Sequence, residues 1–207
     1  KMGLYSGSDV RGFSPVNAGN IRIEGLSVTE HGGFTNRIVS GSTIRVGLTA
    51  QGYPFPAPTG IADYSLRNSG NDAIFSPVIY LGPYDTKQVD LDAQLPIIRD
   101  RLSLAAGLSY RYEENFPGED GRTLTGGGVL RWRPTGSIEI KSFYGRTIVK
   151  DDVDIPSIFT AGPFLPPRIE RRNFGLDYTG TDVERQYYGG LGSAQLSENW
   201  QVRAGLF

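Results

Sequence analysis

The chain has no cysteine, which excludes disulfides, thiolate metal sites and cysteine nucleophiles together. His31 is its only histidine, so a His-based zinc site is excluded and any His-dependent triad would have to be built on that residue. Charge of one sign is lacking as well. The 21 Lys and Arg nearly balance 22 Asp and Glu, and nothing in that balance draws the chain to nucleic acid. Long apolar runs are missing: the best, Leu102–Leu108, includes Ser103 and falls far short of the ~18 residues of a membrane-spanning helix. No secretory signal opens the sequence, because Lys1-Met2-Gly3-Leu4-Tyr5 runs straight into Gly and Ser. Weak hydropathy does not exclude a transmembrane barrel, whose strands alternate lipid-facing and lumen-facing residues.

What is abundant is glycine, at 28 of 207 residues, together with Tyr and Phe. Two β-like pieces, Asn20–Glu30 and Thr43–Leu48, alternate Ile or Val with polar residues. The turn-rich segment Asn68–Asp72 then leads to a series of candidate strands. Ala73–Leu81 is the first, and Pro77 restricts it to an edge or seam. Next, Val89, Leu91, Ala93 and Leu95 share one face, opposite Gln88, Asp90, Asp92 and Gln94. Leu102 to Tyr112, Leu124 to Arg133, Ser137 to Ile148, Gln186 to Leu196 and a stretch from Trp200 complete a reading of about seven antiparallel strands. Pro96–Arg101, Arg133–Gly136 and Ser197–Asn199 are short connections, whereas Glu114–Arg122 and Val149–Arg185 are long. Alternating short and long connections suit an outer-membrane barrel, as do Tyr110, Tyr112, Trp132, Tyr144 and Trp200 near strand ends. A soluble β-sandwich alternates too, but strands of about 9–12 residues fit a membrane barrel better than the usual ~5–6.

Motifs in order carry a specific resemblance: Val10-Arg11-Gly12-Phe13, the Asn20-Ile21-Arg22-Ile23-Glu24-Gly25-Leu26 strand and the closing Pro58-Thr59-Gly60-Ile61. Followed by barrel-like strands, they resemble the plug domain of TonB-dependent outer-membrane receptors. The resemblance implies a mainly β fold, with residues 1–67 a plug lacking its N-terminal part and residues 68–207 the first strands of a truncated barrel. Plugged outer-membrane transporters close at about 22 strands, so seven would need further strands. It also implies energy-coupled uptake of a scarce solute, most often a ferric siderophore, across the outer membrane of a Gram-negative bacterium. The implied partners are the TonB complex (through a segment expected before Lys1), that solute and outer-membrane lipid. No enzyme activity, cofactor or nucleic-acid partner follows from it. A soluble β-rich binding module and a small structural barrel are the alternatives, and detergent dependence separates the first from a membrane protein.

The site residues follow from the same picture. Arg168, Arg171 and Arg172, with Phe159, Phe164 and Tyr178, make the long loop basic and aromatic, a combination suited to an anionic aromatic iron chelate. Tyr53 and Phe55 sit on the Pro-stiffened plug loop; the resemblance allows ligand contact there, and core packing is equally open. Arg11 matches the family arginine that anchors the plug to wall carboxylates. A second family arginine directly before a glycine has no clean counterpart, since Arg45 is followed by Val46 and then Gly47. Asp90 and Asp92 read as plug or water contacts, not as a catalytic pair. Asp151, Asp152 and Asp154 lack the pattern of an EF-hand loop, and a solvated acidic loop is expected. Gly126-Gly127-Gly128 lacks the Lys-Ser/Thr of a phosphate loop and is expected to let wall and plug approach closely.

Overall fold

The computed structural model describes residues 14–29, 33–53, 57, 60–116, 118–153, 159–164, 168, 170–171 and 180–207. Among these the regular structure is almost entirely strand, with two single 3-10 turns besides. A small sheet is formed by β1 (Ile21–Ile23), β2 (Leu26–Ser27), β3 (Val39–Arg45) and β4 (Ile61–Leu66), in the order β2-β1-β4-β3. Asn20–Glu30 is not one strand, as the alternation suggests. Glu24 and Gly25, with φ of 52° and 85°, form a two-residue turn between the paired Ile23 and Leu26. Two positive-φ residues match the twist of a tight hairpin, and the carboxylate that this puts at the turn finds other uses described below. Thr43–Leu48 is corrected as well: the strand begins at Val39 and gives way to a single 3-10 turn at Gly47–Ala50. β4 lies between β1 and β3, parallel to β1 and antiparallel to β3.

The second sheet is an antiparallel meander of seven strands: β5 (Ile74–Leu81), β6 (Lys87–Ile98), β7 (Leu102–Glu114), β8 (Asp120–Thr135), β9 (Ile138–Val153), β10 (Gly180–Gln195) and β11 (Gln201–Leu206). It is not closed, and β5 and β11 are its edges. Pro77 therefore stands on an edge strand, the position in a sheet where proline is tolerated. The wall strands run longer than the alternation alone indicates, with β9 reaching Val153 and β10 beginning at Gly180. The short turns 99–101, 136–137 and 196–200 lie at one end of the sheet, and the connections 82–86, 115–119 and 154–179 lie at the other.

The small sheet packs on one face of the wall. Ile23, Ile38 and Leu66 join Val129 of β8 and Phe143 of β9 in one buried cluster. Val129 faces inward with polar neighbours, as its place in the alternation predicts, and is covered by the small sheet instead of by water. The opposite face of the wall is apolar and exposed, with Leu91, Leu108, Leu124, Leu130, Trp132 and Tyr144 all uncovered. No helix among the described residues is long and apolar enough to cross a membrane.

Candidate functional site

The inner face of the wall is built to receive the small sheet. Gly107, Gly127 and Gly145 lie side by side on β7, β8 and β9. A Cβ at Gly127 would stand 2.8 Å from Cγ2 of Ile38, and one at Gly145 2.8 Å from Cγ2 of Thr35. At Gly107 it would strike the Asp92 carboxylate and lie 2.9 Å from Cδ of Arg37. Three side chains are missing from the wall where the segment Thr35–Ile38 comes down on it. Of the three consecutive glycines, only Gly127 has this role. Gly126 and Gly128 belong to the outward face, beside Leu108 and Ala106.

Beside that shelf lies the strongest charge cluster between the two sheets. The Arg37 side chain, 7% exposed, donates from Nη1 to Asp92 Oδ2 at 2.7 Å and lies 3.7 Å from Asp90. Arg67, at the end of β4, donates to the other oxygen of Asp92. Two guanidiniums thus share one wall carboxylate, with Asp90 completing the neutralisation. Burying these charges is tolerable only because each is paired and hydrogen-bonded. The alternation of β6 fixes which face carries the two aspartates, and the plug contact expected for them is what the structure holds. The arginines, in contrast, were not evident beforehand. Neither precedes a glycine, and only the fold brings Arg37 across to β6.

A second bridge ties the Glu24 turn to the wall. Lys141, buried on β9, reaches Glu24 at 3.0 Å and Glu139 at 3.5 Å. The other Glu24 oxygen accepts from the backbone N–H of Leu66 at 3.0 Å. Glu139 is held in turn by Arg131 and Arg133, and Arg131 also donates to Asn68 in the connection between the sheets.

The expected ligand residues do not form one group among the described residues. Arg171 is already engaged: it is ion-paired with Glu114, donates to the Phe116 carbonyl at 3.2 Å, and lies over the Tyr84 ring at 5.3 Å. Tyr84 and Phe116 meet edge to face with centroids 5.9 Å apart. Arg168 and Phe164 are exposed on the same connection. Tyr53 lies elsewhere. Its hydroxyl donates to Asp63 Oδ2 at 2.6 Å, and Arg45 stands 5.8 Å from its ring. Burial, then the bond to Asp63, pushes the Tyr53 hydroxyl above its ordinary pKa, so it stays a donor. Tyr53 lines a cavity of about 640 Å³ with Glu24, Arg45, Asp63 and the β11 residues Gln201 and Arg203, near the short turn before β11. Arg11, Phe55, Arg172, Tyr178, His31 and Asp154 lie outside the described residues. No group of three or more metal-ligating side chains occurs among the described residues.

No protein-family profile matches the chain, and no curated protein matches it by sequence. Solved structures do match. The ferric-catecholate import receptor Fiu of E. coli K12 superposes with a TM-score of 0.69 at 14% identity, covering 90% of this chain and 31% of that one. The ferripyoverdine receptor of the Pseudomonas aeruginosa outer membrane gives 0.64 at 14%, covering 93% and 27%. The alcaligin outer-membrane receptor FauA of Bordetella pertussis gives 0.61 at 15%, covering 94% and 30%. The chain therefore spans less than a third of each of these receptors. At such identity the likeness establishes the fold alone: a small sheet packed on one face of an unclosed antiparallel wall, arranged as in part of these outer-membrane receptors.

Proposed function

We propose that the chain is part of a TonB-dependent outer-membrane receptor that takes up a ferric siderophore, with residues 1–67 the later part of the plug and residues 68–207 the first wall strands. The observation that carries this reading is the pairing of faces on the wall. One face is a glycine shelf with fitted charges, closed by the small sheet; the other is apolar and open. A soluble sandwich has no use for the open face, and an empty structural barrel has none for the shelf. The barrel offers the route and the plug closes it, so the activity is transport and not covalent chemistry. Coupling to the inner membrane runs through the TonB complex. The solute meets the outer connections, where Arg168 and Phe164 offer an exposed cation and ring to an anionic aromatic chelate. Arg172 and Phe55 belong to the same proposed ligand set, as do Tyr53 and Arg171 once its Glu114 contact opens; Arg11 is proposed as a further plug anchor.

The test is uptake of radio-iron by iron-starved cells whose only receptor is the full-length protein, offered a hydroxamate, a catecholate or a mixed chelate in turn. Accumulation of at least one chelate, lost when TonB is deleted, is the expected result. A receptor that reaches the outer membrane yet moves none of the three, with or without TonB, refutes the assignment.

A further inference from the structure

At the foot of the wall, beside the connection between the two sheets, positive charge outnumbers the carboxylates that could answer it. A cavity of about 160 Å³ lies there, lined by residues 68–71 of the connection, by Arg101 and Ser103 after the turn from β6, and by Arg131 and Arg133 of β8. Asp100 is the one carboxylate in that lining. It accepts from Asn71 Nδ2 at 2.6 Å and lies 4.0 Å from the exposed Arg99, so its oxygens are engaged elsewhere.

The guanidiniums are not matched one to one. Glu139, outside the lining, accepts on a single oxygen from Nε and Nη2 of Arg131 at 2.8 and 2.5 Å and from Nε of Arg133 at 2.7 Å. Its other oxygen is 3.5 Å from Lys141. That carboxylate thus serves two arginines and a lysine, and the Nη groups of Arg133 are left without an acceptor among the described residues. Arg101 has no carboxylate partner among the described residues either; only its backbone is bonded, to Ile98 and Arg133. The neutral groups of the lining are donors as well. Asn68 Oδ1 accepts from Arg131 Nη1 at 3.1 Å, which leaves the amide nitrogen to donate, and the buried Ser103 adds a hydroxyl. Like charges around a small space repel unless an anion screens them, and converging donors are what an oxyanion requires.

We propose that this cavity binds a small tetrahedral oxyanion of the phosphate class, held by Arg101 and the Nη groups of Arg133, with the Asn68 amide and the Ser103 hydroxyl donating to it. Guanidinium forks match phosphate oxygens in both charge and geometry. A cavity of about 150 Å³ accepts a benzene-sized guest, so this one admits phosphate and is too small for an iron chelate. The site lies at the short-turn end of the wall, opposite the connection that carries Arg168 and Phe164, and it stands independently of the uptake reading. Its ligand bridges the connection between the sheets to the feet of β7 and β8. There it reinforces the reciprocal bonds of Asn71 with Asp100, whose N–H donates to Asn71 Oδ1 at 3.2 Å. Occupancy therefore fastens the covalent link between the two sheets to the wall.

The test is equilibrium dialysis of the purified full-length protein against radiolabelled inorganic phosphate, with ionic strength held constant by chloride. Circular dichroism and elution as a single species confirm that each variant is folded. The wild type should show a saturable site that Arg101→Gln weakens several-fold and Arg101→Gln with Arg133→Gln removes. Gly70→Asp tests the same site without deleting an arginine: Gly70 lines the cavity, a Cβ there meets no atom within 4 Å, and the new carboxylate competes with phosphate. Arg99→Gln, on the same turn but outside the lining, should bind as the wild type does. Phosphate should also slow hydrogen exchange of the amides at 69–72 several-fold in the wild type and not in the double arginine variant. Absence of a saturable site, or wild-type binding by a folded double variant or by Gly70→Asp, overturns the proposal. Binding that the variants lose while exchange at 69–72 never responds overturns the fastening and upholds the site.

Discussion

In the small sheet the aliphatic side chains of Ile21, Ile23, Ile38 and Ile61 are fully covered, as in a water-soluble domain. In the wall the covered side carries Asp90, Asp92, Lys141, Arg131 and a row of glycines, with Val129 and Phe143 under the small sheet, while most of the large aliphatic and aromatic residues lie uncovered. The two sheets follow the same alternation rule with opposite assignments of inside and outside. What differs is the partner on each face. The wall's inner face meets the small sheet, which brings charges of its own, while its outer face is apolar and open, as the proposed barrel wall requires. Hydrophobic periodicity therefore finds the two faces of a strand without saying which one is the interior.

The contact between the two sheets is the place to break this arrangement, and its buried arginine should matter most. Arg37→Met keeps the stem and removes the guanidinium, leaving Asp92 with Arg67 alone and Asp90 with no cation from the plug. Breaking a buried ion pair from one side costs about 3–5 kcal/mol. We expect plug unfolding in the purified full-length receptor to shift by that amount in denaturant, with the barrel's own transition unchanged. Asp92→Asn should approach the same loss, because both arginines donate to it. Asp90→Asn should cost much less, as its contact with Arg37 is 3.7 Å. Equal effects for the two aspartates would show that the cluster acts as a diffuse charge and not through Asp92.

The next largest effect compares two faces of one strand by the same substitution. Gly127→Val places a side chain against Ile38 Cγ2 and the Tyr144 carbonyl, where even Cβ stands at 2.8 and 2.9 Å. Overpacking of this kind costs about 1–3 kcal/mol. Gly126→Val points to the other face, where the nearest atom to the new Cβ is Leu108 Cδ1 at 3.4 Å. It should leave plug stability untouched. Denaturation of the plug measures both variants, and a larger loss from Gly126→Val would reverse the assignment of faces.

The glycines also show how far the sequence could be read. Strand order, edge position and facing of the wall were legible because period-2 alternation survives in strands of this length: Asp90 and Asp92 fall inward, Leu91 outward. The small sheet was less legible. Glu24-Gly25 breaks β1 from β2 in the middle of an alternating run, and the turn is held by the distant Lys141, Leu66 and Asp63. β4 lies in the centre of its sheet, yet its Ile-Ala-Asp-Tyr-Ser-Leu run carries no clean alternation. The anchors escaped for a related reason. Arg37 stands in the turn before β3, and nothing local marks it as the residue that will cross to Asp92, whose distance in sequence hides the pair. A charge on a regular strand can be assigned a face. One on a turn cannot be, until the tertiary fold is known.

The smallest effect concerns Arg171, where the sequence suggests a ligand contact and the structure supplies a protein one. Its guanidinium joins the long connection to the ends of β5 and β7 through Glu114, the Phe116 carbonyl and the Tyr84 ring. The side chain is 48% exposed, so solvent weakens the ion pair, and exposed pairs and cation–π contacts are worth about 0.2–1 kcal/mol each. Arg171→Gln should thus leave barrel assembly unchanged and raise the rate of protease cleavage within residues 154–179 by a few-fold. Arg168→Gln, from the exposed neighbour, should leave that rate alone and weaken binding of an anionic chelate in low salt, an effect that shrinks as salt screens the wild-type attraction. If Arg171→Gln weakens chelate binding while the connection keeps its protection, Arg171 serves the ligand and the contact with Glu114 is one it gives up on binding. Faster cleavage with unchanged affinity makes it a clasp for the connection. Measuring both rates and affinities on the same two variants separates these roles at a site whose energetic stake is only about 1 kcal/mol.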